Sequence, residues 1–141
     1  EQENGIRGGT LNVANIVGFG KAAELAAARL EKDLAAEQAL DRQIRELLLA
    51  TPGVELLGDP AHHIPGIFSF VMQDPFFNNE QFLKRIGPEI AASAGSACTA
   101  GEPSHVLQAI GRGDQTGRVL RLSIGKESTL SDIQALLSRL A

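Results

Sequence analysis

The sequence predicts an α+β fold with an α/β-type layer: one long N-terminal helix, then a small sheet of three or four strands covered by helices. Two observations carry this expectation. From about Asn15 to Ala50 there is no proline, alanine is abundant, and apolar residues recur at helical spacing as Ala23, Ala26, Leu30 and Leu34, then Leu40, Ile44, Leu47 and Leu48. Beyond the stop at Thr51-Pro52-Gly53, the segments become short and rich in β-branched and aromatic residues, alternating with short helical stretches.

The elements follow in order. The first residues carry Gly5, Gly8, Gly9, Gly18 and Gly20, which suits the interior of a longer structure better than a free-standing start. The predicted helix, of roughly 30 residues, exceeds the usual span of about 8 to 20, so it is expected to bridge two bodies of structure. Asp41 lies four residues before Arg45, as an ion pair on an exposed helical face would. Val54–Leu57 and Ile67–Met72 read as strands, and Asn78-Asn79-Glu80 opens a helix to Ile86 that Gly87-Pro88 ends. Ile90–Ala94 reads as a small-residue strand. Ser104 caps a short helix ended by Gly111, and Val119–Ile124 alternates apolar with polar as a last strand. Thr129-Leu130-Ser131-Asp132 resembles a capping box, with Leu130, Ile133, Leu136, Leu137 and Leu140 forming one apolar helical face. The expected organisation is a glycine-rich opening segment over 1–20, a long interdomain helix over 21–51 and a small domain over 52–141.

Composition narrows the function. The chain has 141 residues with 43% hydrophobic content, enough for one modest core. A net charge of −4 with 13 scattered basic residues disfavours nucleic acid as a partner, and the absence of Trp and Tyr leaves no stacking platform for bases. No run approaches the roughly 20 apolar residues of a spanning helix, and Glu1-Gln2-Glu3-Asn4 lacks a basic signal start, so a cytoplasmic protein without membrane contact is expected. A single cysteine cannot close an internal disulfide, and His62, His63 and His105 lack zinc-ligand spacing, so no metal site is expected. His62 and His63 read as part of a solvated turn, and Arg112 and Arg118 as solvated cations.

The cysteine draws attention through its neighbours. Ala94-Gly95-Ser96-Ala97-Cys98-Thr99-Ala100-Gly101 has almost no side-chain bulk, a composition that lets a thiol approach a ligand closely. Local composition alone leaves a packed, inert thiol equally open. The wider sequence is more specific. Ser93–Thr99, followed by Glu102-Pro103-Ser104-His105-Val106-Leu107 and Ile110-Gly111, closely resembles the active-site cysteine segment of cysteine desulfurases of the class V aminotransferase family. Arg7-Gly8-Gly9-Thr10, with Ile16-Val17-Gly18-Phe19-Gly20 after it, resembles the family's Arg-x-Gly-Thr segment before its interdomain helix. Val119–Gly125 resembles the strand with its substrate-binding arginine.

The resemblance implies the small domain of a fold-type I enzyme dependent on pyridoxal 5'-phosphate. It implies that Cys98 takes sulfur from L-cysteine as a persulfide, releasing L-alanine, and passes it to an iron-sulfur scaffold or another sulfur-acceptor protein. It implies further that Arg121 binds the substrate carboxylate, and that Thr10 donates to the cofactor phosphate of a neighbouring subunit in a homodimer. The family's Schiff-base lysine, stacking histidine and pyridine-facing aspartate belong to an upstream domain that this sequence does not contain, and Thr99 to Pro103 is shorter than in many relatives. An alternative is a stand-alone sulfur-carrier or docking domain without a cofactor site. A weaker one is a cysteine hydrolase pairing Cys98 with His105, which lacks a recognisable orienting Asn or Asp.

Overall fold

The computed structural model of the chain describes residues 3–6, 8–95 and 104–140. Seven elements follow in order: α1 (Val13–Ala50), β1 (Val54–Leu57), β2 (Ile67–Met72), α2 (Asn79–Ile86), α3 (His105–Ala109), β3 (Val119–Ser123) and α4 (Leu130–Leu137), with 3-10 turns at Glu3–Gly5 and Gly113–Arg118.

Helix α1 runs 38 residues and starts earlier than the alanine-rich pattern suggests. Asn12 explains the start: its Oδ1 accepts the Asn15 N–H at 3.2 Å, and its carbonyl accepts the Ile16 N–H at 3.0 Å. Gly18 and Gly20 weaken the first turns without breaking them. At the other end the Thr51 hydroxyl donates to the Leu47 carbonyl at 2.8 Å, and Gly53, with φ +77, turns the chain into β1. The chain divides into two units, Glu1–Ala35 and Ala36–Ala141, with the division inside α1. In the first unit every described residue is exposed, including Val13, Val17, Phe19 and Leu30.

The second unit is built on a three-stranded antiparallel sheet in the order β1-β2-β3. Phe70 of β2 faces Leu56 on one side and Leu120 on the other. Because strand side chains alternate, Phe68, Phe70 and Met72 of β2 share one face with Leu120 and Leu122 of β3. Ile44 and Leu48 of α1, Phe82 and Ile86 of α2, and Ile133 and Leu136 of α4 close over that face to form the main core. On the opposite face Val71, Val119 and Leu107 of α3 make a smaller cluster.

The short helices follow their caps. Asn78 Oδ1 accepts the Gln81 N–H at 2.9 Å, Ser104 Oγ accepts the Leu107 N–H at 3.3 Å, and Thr129 with Asp132 forms a complete capping box. Asp132 is held below its ordinary carboxylate value by the Thr129 N–H and hydroxyl.

Three expectations need correction. The strand expected over Ile90–Ala94 is a single bridge at Ser93, because Glu89 and Ile90 give their N–H groups to the Ile86 carbonyl and finish the end of α2. Arg112 and Arg118 are not simply solvated: Arg112 Nη2 meets Glu55 Oε1 at 2.7 Å, and Arg118 Nη1 donates to the Met72 carbonyl at 3.1 Å. Asp41, expected on an exposed face, is only 3% exposed. Its Oδ1 accepts the Gly66 N–H at 2.9 Å and its Oδ2 accepts Arg45 Nε–H at 2.8 Å, while His63 Nε2 lies 3.2 Å from Oδ2.

Asp41 thus ties α1 to the chain entering β2. Gly66 can take part because φ +80 suits glycine, and a Cβ there would collide with the Glu37 carboxylate. Burial opposes ionisation of Asp41, but the hydrogen bonds from Gly66, Arg45 and His63 outweigh it and hold the carboxyl below its ordinary value. The tether is therefore complete above pH 3.8 and is lost as pH falls through the lower folded value. Asp41→Ala should speed hydrogen exchange at the Gly66 amide by roughly 30- to 100-fold at neutral pH, the loss of about 2 to 3 kcal/mol expected for a charge-assisted buried bond. Unchanged exchange would contradict the tether.

Candidate functional site

Strand β3 places Arg121 on the sheet face away from the main core, between buried Leu120 and Leu122. Its backbone is fixed on both sides. On the outer side it exchanges two hydrogen bonds with Ser93, Arg121 N–H to the Ser93 carbonyl at 2.6 Å and Ser93 N–H to the Arg121 carbonyl at 3.1 Å, with Ser93 Oγ at 3.4 Å from that same carbonyl. On the inner side it stands opposite Ser69 of β2.

The guanidinium itself is exposed and has no hydrogen-bond or ion-pair partner among the described residues. Arg45, Arg85, Arg112, Arg118 and Arg139 each donate to an oxygen within the second unit, whereas Arg42 on α1 is exposed and, like Arg121, has no partner among the described residues. An arginine held at its Cα and free at its head suits bidentate capture of a carboxylate or phosphate.

Ser93 also begins the segment of the sole cysteine. Cys98 lies outside the described residues, as do 96–103 altogether, whereas Ser104 and His105 at the other end of the segment start α3. His105 is exposed, and its imidazole has no hydrogen-bond partner among the described residues that could orient it as a base. Thr10, in the first unit, is exposed just before α1 and borders a surface hollow of about 440 Å³ with Leu11, Asn12 and Phe19. It follows Gly9, whose φ of +88 sets the turn into Thr10.

Two residues that support β3 escaped the sequence reading. Asn79, nearly buried, donates both Nδ2 protons, to the Thr116 carbonyl at 2.8 Å and to the Val119 carbonyl at 2.9 Å. It thereby holds the turn that leads into the arginine strand. The Asn78-Asn79 pair was the only signal available, and the cap accounts for Asn78 alone. Ser69 was the other, hidden within an ordinary strand pattern.

Among the described residues no helix is long and apolar enough to cross a membrane. The aminotransferase class-V family model matches residues 1–136. Over 135 residues the chain is 38% identical to "Cysteine desulfurase, mitochondrial" of Arthroderma benhamiae, covering 94% of this chain and 26% of that protein. Over 139 residues it is 40% identical to a Frankia protein named "Cysteine desulfurase", covering 94% of this chain and 32% of that one. The chain thus spans about a quarter to a third of the length of these relatives. A NifS-like protein from Rickettsia africae superposes with a TM-score of 0.82 at 25% identity, over 99% of this chain and 36% of that chain. The long helix, the small sheet with its helices and a family match over nearly the whole length agree: this chain belongs to the aminotransferase class-V family.

Proposed function

We propose that this chain is the C-terminal part of a cysteine desulfurase, converting L-cysteine to L-alanine and a persulfide on Cys98, which is passed to an iron-sulfur scaffold or another sulfur-acceptor protein. The observation that carries the reading is the Ser93–Arg121 bridge, which stitches the base of the Cys98 segment to the arginine strand. Cys98 follows Ser93 by five positions, a separation that a fully extended chain spans in at most about 18 Å. That reach is compatible with Cys98 and Arg121 serving one substrate as nucleophile and carboxylate clamp, and the names of the curated relatives support the same chemistry.

Pyridoxal phosphate would supply the electron sink. The residues present fit only part of its needs: the exposed Thr10 hydroxyl after two glycines suits one phosphate oxygen, while none of Lys21, Lys32, Lys84 and Lys126 stands in a segment that resembles the family's lysine segment. The amine that would hold the cofactor is thus assigned to the remainder of the protein, with Thr10 serving a neighbouring subunit of a homodimer. The exposed apolar side chains along residues 13–34 favour cover by that remainder.

Arg121 holds the α-carboxylate and so orients the substrate thiol. The Cys98 thiolate attacks the substrate sulfur; the new S–S bond forms as the substrate C–S bond breaks, and the carbon fragment leaves as alanine after protonation. Cys98 then offers its outer sulfur to an acceptor thiol.

In the intact protein, Cys98→Ser should abolish sulfur transfer while cofactor binding persists, read by absorbance and by sulfide release under reductant; a serine variant that still moves sulfur would refute the assignment. Arg121→Ala should raise KM for L-cysteine about 30-fold, the equivalent of about 2 kcal/mol for a charge-assisted bond in a desolvated site. An unchanged KM would return Arg121 to an ordinary surface cation.

A further inference from the structure

The sheet register gives Arg121 a companion. In an antiparallel pair, residues alternate between those that exchange backbone hydrogen bonds and those that do not. Arg121 spends its N–H and carbonyl on Ser93, whereas Ile124 N–H, three positions on, points the other way to the Gly66 carbonyl at 2.9 Å. Arg121 and Ser69 are therefore a non-hydrogen-bonded pair, the kind in which side chains on one face stand closest. The row across this face reads Leu57, Ser69, Arg121, Ser93.

Ser69 is half-buried, and its hydroxyl has no hydrogen-bond partner among the described residues. In the neighbouring row on the same face Val71 and Val119 pack with Leu107, and Leu57, at the far end of the Ser69 row, packs against that cluster, whereas Arg121 at the other end is exposed. Small serines on both sides of the guanidinium leave room for a flat anion to lie against it.

We infer that Ser69 is a specificity residue for the α-carboxylate of the amino-acid substrate: Arg121 takes the carboxylate through its guanidinium while the Ser69 hydroxyl donates to one of the same two oxygens, with Ser93 fixing the arginine strand from the other side. This rests on the carboxylate-clamp reading of Arg121. A substrate amino acid has one carboxylate at a set distance from its amine, and two donors on adjacent strands fix the orientation of that group where one flexible guanidinium would let it swing.

The test uses the intact, cofactor-loaded protein with Ser69→Ala, Ser69→Thr and Arg121→Ala, measuring KM and kcat for L-cysteine and, by calorimetry, equilibrium binding of L-alanine. Loss of the hydroxyl in Ser69→Ala should raise KM and weaken L-alanine binding by about tenfold with kcat within about twofold, and Ser69→Thr should restore both. If Arg121→Ala weakens both and Ser69→Ala leaves both unchanged, the role of Ser69 is overturned and the clamp stands. If Ser69→Thr loses as much as Ser69→Ala, the hydroxyl is not the donor. If Arg121→Ala also changes neither, the clamp falls and this inference with it.

Discussion

The central strand β2 imposes the constraint on which the second unit depends. Its side chains alternate, so Phe68, Phe70 and Met72 must face the helices while Ser69 and Val71 face the other way. A slip of one residue against β3 would put two phenylalanines in water and Ser69 in the core, so the register is held by the burial of large aromatic rings. The same register that seals the core sets Ser69 beside Arg121 on the opposite face. Core and site are two faces of one alternation.

Long-range polar contacts lock that sheet to its surroundings. Asp41 ties α1 to the turn before β2, Asn79 ties α2 to the turn before β3, and Arg112 of the same turn reaches Glu55 on β1. Each buried or half-buried group among these has partners, as a group removed from water requires. Arg121 is exposed and stands outside that pattern, with no partner among the described residues, whereas Arg112 and Arg118 around the turn before its strand are spent on internal bonds.

Much of this fold was legible in the sequence because much of it is local. Asn78, Ser104 and the Thr129–Asp132 box act within one helical turn of where they stand, so their spacing alone reveals the helices. Gly111, at φ +74, ends its helix for an equally local reason. What escaped depends on residues far apart in the chain. The bond from Gly66 to Asp41 spans 25 positions and the Arg112 to Glu55 pair spans 57, so an aspartate four residues before an arginine looked like a surface pair and two arginines looked idle. For the site, Cys98, Arg121 and Thr10 were singled out through resemblance to known segments. Ser69 stood out through neither pattern nor resemblance, because its place is defined only once the register of β2 against β3 is known.

The central claim is that Cys98 receives the substrate sulfur. The most direct measurement is peptide mass mapping of the intact protein after brief exposure to L-cysteine carrying heavy sulfur, with thiols and persulfides trapped by alkylation. The account predicts that the peptide containing Cys98 gains one heavy sulfur atom and that this label is lost when an acceptor thiol is added. A Cys98 peptide that stays unlabelled while alanine accumulates would contradict it.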